Sequence, residues 1–491
     1  MAKKSSEEKT VAAVSSRMMF GRRVIFSSEN TITDDNVAKV VEQAYVDHLK
    51  NRDEIDYLWN YYKGKQPNLF RTRTVRNELT SHVVENRASE VVSFKVGYIA
   101  GKPLQYISSA NRTEPKNLGN GYFESNADEV SKKVSALNDY MRIVGKATKD
   151  RDLIEWCMIC GLGYRYVVQN TNPLLKSPFN LYTLDPRNTF VIRKNDFSQE
   201  VIAGVNYVTD KENNVTFTVY TADKVYTIEK GTNKASGRRN SFGLIPIIEY
   251  QNNSARQGCF EICLSLLDAI SEFDACRLEA VEAFCQSLMV LYNCQIDDGV
   301  TADSIRAAGL VMLKSTGDNK ADIKILAEQL DQAQNQTLKE DMYNAILQIC
   351  GVPSQSSAGT SDSSNNGAVV LRNGWEGAET RAQDFETGFK LPEREMLQVV
   401  AVLCRGVKGY ELDFDPSDID VKFTRRNYEN ILSKSQTLTT MLGNDKIHPQ
   451  KAYEASGLFV DTEEAYQAGM QWYNEQQKTQ QTEVKPDGNT V

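Results

Sequence analysis

Three histidines, nine cysteines and a few close acid pairs are the residues of this 491-residue chain best suited to moving protons, attacking an electrophile or holding a metal. The histidines stand apart at 48, 82 and 448, so a serine or cysteine triad or a histidine-rich metal site has almost nothing to build with. His82 falls in a helical pattern and His448 precedes a proline, and both read as packing or solvent residues. The cysteines lie at 157, 160, 259, 263, 276, 285, 294, 350 and 404. Their odd number and apolar surroundings suit reduced, buried thiols in a reducing cytosol rather than a disulfide scaffold. Cys157 and Cys160 have CxxC spacing, yet they sit inside the apolar run Leu153–Leu162 and no second pair completes a zinc site.

Gly97–Pro103 looks like a phosphate loop but is one residue short of GxxxxGK(S/T), and proline stands where the magnesium-binding hydroxyl must be. It also follows a helical pattern instead of a strand, and reads as a glycine-rich turn. Asp297 with Asp298, and Asp413 with Asp415, neighbour turn residues and lack a partnered base. The chain therefore reads as non-enzymatic, with no catalytic residue, cofactor or metal.

The elements that would position any site come from a long chain, and its length suggests about three domains or one elongated subunit. With 41% hydrophobic and 25% charged residues it is an ordinary globular composition, which argues against a mainly disordered, collagenous or membrane-embedded chain. The formal charge of −8 has the wrong sign for a protein that grips nucleic acid over its whole surface, so any DNA contact must be local or weak. The acidity is concentrated. Gly258–Cys350 holds 15 acids against 6 bases, a balance of −9, which leaves the rest at +1. No run approaches the roughly 18 apolar residues of a membrane span. The longest candidate is Met396–Cys404, and the start MAKKSSEEKT lacks a signal-peptide core. The expectation is a protein kept inside a cell or released by lysis.

Polar, irregular residues occupy roughly the first thirty positions, and a capped helix is expected after Asp34-Asp35 with Val37, Val40, Val41, Ala44 and Tyr45 on its buried face. Further helical patterns cover Ile55–Tyr62, Glu78–Val96 and Ala127–Cys160. At Gly161 the period changes to two: Tyr164, Tyr166 and Val168 alternate with Arg165, Val167 and Gln169. Strands are expected at Thr189–Arg193, Val201–Val208, Val215–Tyr220, Val225–Glu229 and Leu244–Tyr250.

A long narrow helical stripe then runs Cys263, Leu267, Ile270, Phe273, Val281, Phe284, Leu288, Leu291. A short mixed insert follows, with strands at Leu310–Lys314 and Ile323–Leu326 beside a helix around Ser304–Ala308, and a second helix covers Glu328–Cys350. Pro353–Gly367 is too polar to bury and has no period, so it reads as a long loop. Ala368–Arg405 is helical, with Gly388 and Pro392 expected to kink or break it. Ile419–Thr424 alternates as a strand, Ile431–Gln476 forms a helical cluster, and the tail from Gln477 is disordered by composition.

This order of parts resembles the portal proteins of tailed bacteriophages, in the branch typical of long-tailed phages of Gram-positive hosts. The similarity spans roughly Asn51–Asn474. Its marks are Tyr61-Tyr62-Lys63-Gly64, Val83-Val84-Glu85-Asn86, Lys95-Val96-Gly97-Tyr98 and Gly101-Lys102-Pro103. Ile245-Pro246-Ile247-Ile248-Glu249-Tyr250 with Asn252-Asn253, Cys259-Phe260-Glu261 and Leu266–Ile270 follow, then Asn366-Gly367-Ala368, Val421–Arg425 and Ala455–Phe459. Their shared order carries the likeness. Cys259, where the family often has a small acidic residue, and Pro392 in the long helix depart from it.

The resemblance implies an α+β, mainly helical subunit with a β-rich wing, a two-helix stem, an α/β clip, a long kinked helix and a helical crown. In those terms residues 1–33 are a flexible arm, 34–257 the wing, 258–277 and 328–350 the stem helices, and 278–327 the clip. Residues 351–367 form the tunnel loop, 368–430 the long wing helix and strand, 431–476 the crown and 477–491 the disordered tail.

The implied function is a cyclic homo-oligomer, commonly of twelve copies, at one capsid vertex of the virion, assembled in the host bacterial cytoplasm. Its channel passes double-stranded DNA in packaging and ejection. The implied partners are the terminase large subunit, the head–tail adaptor, and the major capsid and scaffolding proteins, with no membrane. Ser354, Gln355, Ser356, Ser357, Thr360, Ser361, Ser363, Ser364, Asn365 and Asn366 would face DNA. Arg306, Lys314, Lys320 and Lys324 of the clip would meet DNA or acidic partners, although surface solubility explains them equally well.

Physics points the same way, because each counterion released from phosphate adds affinity, and affinity is friction for a sliding duplex. An acidic stem and a short-side-chain loop grip weakly. Apolar flanks on the stem helices would be covered by ring closure. A packaging ATPase would need the intact phosphate loop that is missing here, and another minor capsid protein would not explain the helix–insert–helix–loop–helix order.

Overall fold

The computed structural model describes residues 21–72, 80–109, 116–117, 123–124, 126–232, 235–285, 288–292, 294–295, 314–315, 322–326, 332–353, 374–407, 409–410, 412–425, 431–459 and 462–483. Ten helices are described: α1 (Val37–Tyr62), α2 (Arg87–Ile99), α3 (Asn126–Ile143), α4 (Lys146–Cys160), α5 (Leu264–Cys285), α6 (Gln332–Cys350), α7 (Trp375–Gly406), α8 (Ile431–Leu442), α9 (Pro449–Ser456) and α10 (Thr462–Glu483). With several small sheets they give a mixed, mainly helical α/β protein, in line with the α+β expectation. The chain divides into two units. One contains Asn60–Arg87 and Cys263–Ile346, the other Met18–Trp59, Ala88–Ile262 and Leu347–Val491.

The second unit is built on a six-stranded sheet in the order Phe26–Ser27, Thr189–Lys194, Val201–Thr209, Val215–Tyr220, Lys224–Glu229, Ala235–Arg239. The expected face of α1 is the one that is buried: Val37, Val40, Val41, Ala44 and Tyr45 form one core with Phe190, Val205, Tyr207, Phe217 and Val219. Alternation accounts for the sheet's side of that core, since every second residue of Val215–Tyr220 points inward. His48 completes it, stacked on Phe190 at 4.6 Å with a ring nitrogen 3.0 Å from the Arg187 carbonyl. Burial lowers its pKa to about 4, so it packs as a neutral ring.

A three-stranded sheet, Ile247–Gln251, Leu162–Gln169, Phe179–Leu184, packs against α4 and α7. Between α4 and this sheet the chain turns at Gly161 (φ +84°), where a Cβ would stand 2.2 Å from the Arg256 carbonyl oxygen, so only glycine fits. Gln105–Ser108 pairs with Ile419–Lys422, and α8 to α10 supply the expected helical cluster.

In the other unit, α5 and the start of α6 lie side by side and antiparallel. Arg277 donates to Gln336 at 3.2 Å, and Lys339 pairs with Asp274 at 2.9 Å. Two small antiparallel pairs follow α5: Leu288–Tyr292 with Asp322–Leu326, and Cys294–Gln295 with Lys314–Ser315.

Several expectations are corrected. From Gly21 on, the chain is not a free arm: Phe26–Ser27 adds to the sheet in parallel, and the Asn51 side chain bonds both the N–H and the carbonyl of Arg23. Residues 80–86, expected to be helical and to include His82, are not, because the N–H groups of Ser81 and Glu85 donate to Glu279 at 2.9 Å and Ser271 at 3.3 Å on α5. The single helix expected over Ala127–Cys160 is two, broken at Val144-Gly145.

The stripe expected to run on through Leu291 stops with α5 at Cys285. Leu288 and Leu291 belong to a strand, whose partner supplies the backbone bonds that a helix would have made internally. Helix α7 is unbroken by Gly388 or Pro392, and Pro392 is buried. Packing outweighs the lost backbone donor there. Helix α10 continues to Glu483, past the point where disorder was expected to begin. The helix expected around Ser304–Ala308 lies outside the described residues.

Candidate functional site

Of the residues singled out for chemistry, Cys157, Cys160, His48 and His448 are held in structural roles. Cys157 and Cys160 are buried, their Sγ atoms facing carbonyls of Tyr250 (3.8 Å) and Leu162 (3.3 Å), and burial pushes the Cys160 thiol up to about 12. Both are inert thiols. His448 caps α9, its Nδ1 accepting from the Gln450 N–H at 3.3 Å. Gly97 lies inside α2 and Gly101-Lys102 just beyond its C-terminal end, the wrong end of a helix to cradle phosphate. Among the described residues no cluster of His, Cys, Asp and Glu could hold a metal, and no helix is long and apolar enough to cross a membrane.

The helix pair α5 and α6 exposes acids and large apolar side chains together. Its inner side is tied down by the segment Asn60–Arg87. Tyr61 donates to Asp268 at 2.9 Å, Asn68 to the Ser271 carbonyl at 3.0 Å, and Arg71 to Glu279 at 3.4 Å. Lys339 sits between Asp274 (2.9 Å) and Glu85 (2.8 Å). Burial works to raise the Glu85 pKa, but hydrogen bonding to Asp274 and Lys339 and the charge of Arg87 pull it down to about 2. Asp274 moves the other way, raised by burial and by its neighbour Glu85.

The outward side carries exposed acids, Glu282 on α5 and Glu340 and Asp341 on α6, while Glu272, also exposed, lies 3.7 Å from Arg71 of the inner segment. The two described bases, Arg277 and Lys339, are engaged with Gln336, Asp274 and Glu85. Large apolar side chains are exposed beside the acids: Leu278 is 49%, Val281 45% and Leu338 52% accessible.

Lys314 and Lys324 stand on the two small strand pairs, opposite Gln295 and Val290. Arg306 and Lys320 lie outside the described residues. So do Ser354, Gln355, Ser356, Ser357, Thr360, Ser361, Ser363, Ser364, Asn365 and Asn366.

Sequence reasoning missed a buried ionic network in the second unit. Arg165 and Glu393, both fully buried, meet at 3.3 Å; Lys146 lies 2.8 Å from Glu393 and 2.6 Å from Asp150, and Arg165 also bonds Asp150. Tyr106 and Tyr250 each donate to Glu393 at 2.6 Å. Burial disfavours the Glu393 charge, yet Lys146 and Arg165 outweigh it and pull its pKa down to about 2. Two cations balance two carboxylates, so the cluster is neutral and pins α7 to the three-stranded sheet. The signals available were faint: an arginine within the apolar run Leu162–Val168, and Lys146 spaced four residues from Asp150.

The described residues thus hold long helices, several sheets and an acidic helix pair followed by two small strand pairs. Residues 42–482 match the family described as phage portal protein, SPP1 Gp6-like, and the chain belongs to that family. No curated protein matches the chain. The family is structural rather than enzymatic, and it gives the chain a phage portal role in the capsid and in DNA packaging.

Proposed function

We propose that the chain is the subunit of a ring, of twelve copies in the virion, that occupies one capsid vertex and forms the channel for double-stranded DNA in packaging and ejection. The ring is also the attachment point for the terminase large subunit and the head–tail adaptor, and it meets the major capsid and scaffolding proteins. In this reading α5 and α6 belong to the stem, the strand pairs after α5 to the clip, and residues 351–367 to the tunnel loop.

The observation that carries the reading is the outward surface of α5 and α6. Exposed Leu278, Val281 and Leu338 are the flanks that a head-to-tail interface, repeated around an axis, would cover. The exposed acids beside them, with both described bases engaged, make a wall that releases few counterions from a passing duplex.

Electron microscopy of the purified protein should show rings with a hole wide enough for a duplex, and a solid monomer at every concentration would overturn the reading. Leu338→Lys should convert rings to folded monomers, seen as a shift in size-exclusion chromatography with an unchanged circular dichroism spectrum. Burying a leucine is worth about 1.5–3 kcal/mol, and here the loss recurs at every interface.

A further inference from the structure

Helix α6 ends in a fully specified stop. The Val352 N–H donates to the Leu347 carbonyl at 2.8 Å and the Gly351 N–H to the Gln348 carbonyl at 3.2 Å, with Gly351 left-handed at φ +66°. This is the Schellman pattern, and the buried Val352 and Pro353 follow it directly. The pattern leaves the Ile349 carbonyl over. Arg381, in the second turn of α7, takes it through Nη1 and reaches the Gln348 carbonyl through Nη2 at 3.4 Å. Its side chain passes close over Gly351, where a Cβ would stand 2.5 Å from the Arg381 Cδ. A cation at the last carbonyls of a helix also complements its negative end.

The turn that carries Arg381 is itself fixed. Trp375 packs on Phe94 and Tyr98, with ring centroids 5.9 and 6.0 Å apart, and Glu379 accepts from Tyr98 at 2.7 Å and Arg425 at 2.9 Å. Arg381 thus joins the two places where the chain leaves α6 and re-enters α7.

We propose that Arg381 is a positioning residue for DNA translocation: it staples the last turn of α6 to the first turns of α7, so that positions 353 and 374 are held at a fixed separation. The staple rests on geometry, and its role in translocation rests on the portal reading. Arg381→Ala and Arg381→Met should both fold, because the side chain is exposed and the backbone cap does not involve it.

Hydrogen exchange should rise about tenfold across residues 347–353 in both variants, as expected when a local opening loses a restraint. Exchange in α7 should not change, and Arg381→Lys should restore most of the protection. DNA packaging by rings of these variants should fall in the same order. Unchanged exchange at 347–353 would overturn the staple, and faster exchange with normal packaging would overturn the positioning role. Wild-type protein that forms no ring would overturn the portal reading instead, while the exchange result still decides the staple.

Discussion

Glu393→Gln is expected to destabilise the protein by about 3–5 kcal/mol, the cost of breaking a buried ion pair while its partner charges stay buried. Arg165 and Lys146 would be left with one carboxylate, Asp150, between two cations, and the hydroxyls of Tyr106 and Tyr250 would face an amide that offers a single acceptor oxygen. Tyr250→Phe, which removes one hydroxyl and no charge, should cost about 1 kcal/mol. Urea unfolding of the variants separates the two cases.

The pH dependence has a definite sign. The Glu393 pKa is lowered by folding, from the ordinary 4.5 to about 2, so its stabilisation is complete above the unfolded value and is lost as pH falls toward the folded one. Wild-type stability should therefore decline between those two values, and Glu393→Gln should flatten the decline. A variant that unfolds at the wild-type urea concentration would show that the network does not hold α7 in place.

Deleting Ser354–Asn366 is expected to leave ring assembly intact and to abolish DNA packaging. The deleted stretch has six serines and two asparagines, and carries no large apolar side chain that would make an interface. The flanks proposed to meet between copies lie on α5 and α6, outside it. Intact rings by electron microscopy, with no protected DNA in a packaging assay, would be the supporting pair of results. Normal packaging would make the stretch a passive connection between helices.

Which parts of this protein can be read from its residues depends on how local their causes are. The inward face of α1, the strand Val215–Tyr220 and the helix pair around the insert follow from spacing within one or two turns, and the structure has them where the pattern puts them. The limits of α5 and the break between α3 and α4 were not legible, since Leu288 and Leu291 keep helical spacing by coincidence and Gly145 ends a pattern that its neighbours continue.

Arg165 was invisible as a core residue because its partner Glu393 is 228 positions away. Alternation alone assigns such a side chain to solvent. For Pro392, the donor it lacks can be read in the sequence, while the burial that holds the helix together around it cannot. The proposed channel residues were identified by likeness to a family and by composition.

The anchoring of α7 has a mechanical consequence. Glu379, clamped by Arg425 and Tyr98, and Glu393, locked into the neutral cluster, hold the same helix at points fourteen residues, or about 21 Å, apart. A beam supported at two stations cannot pivot about either. Load applied at its leading tip is delivered along its length to the β-layer behind, which makes this helix a strut rather than a hinge.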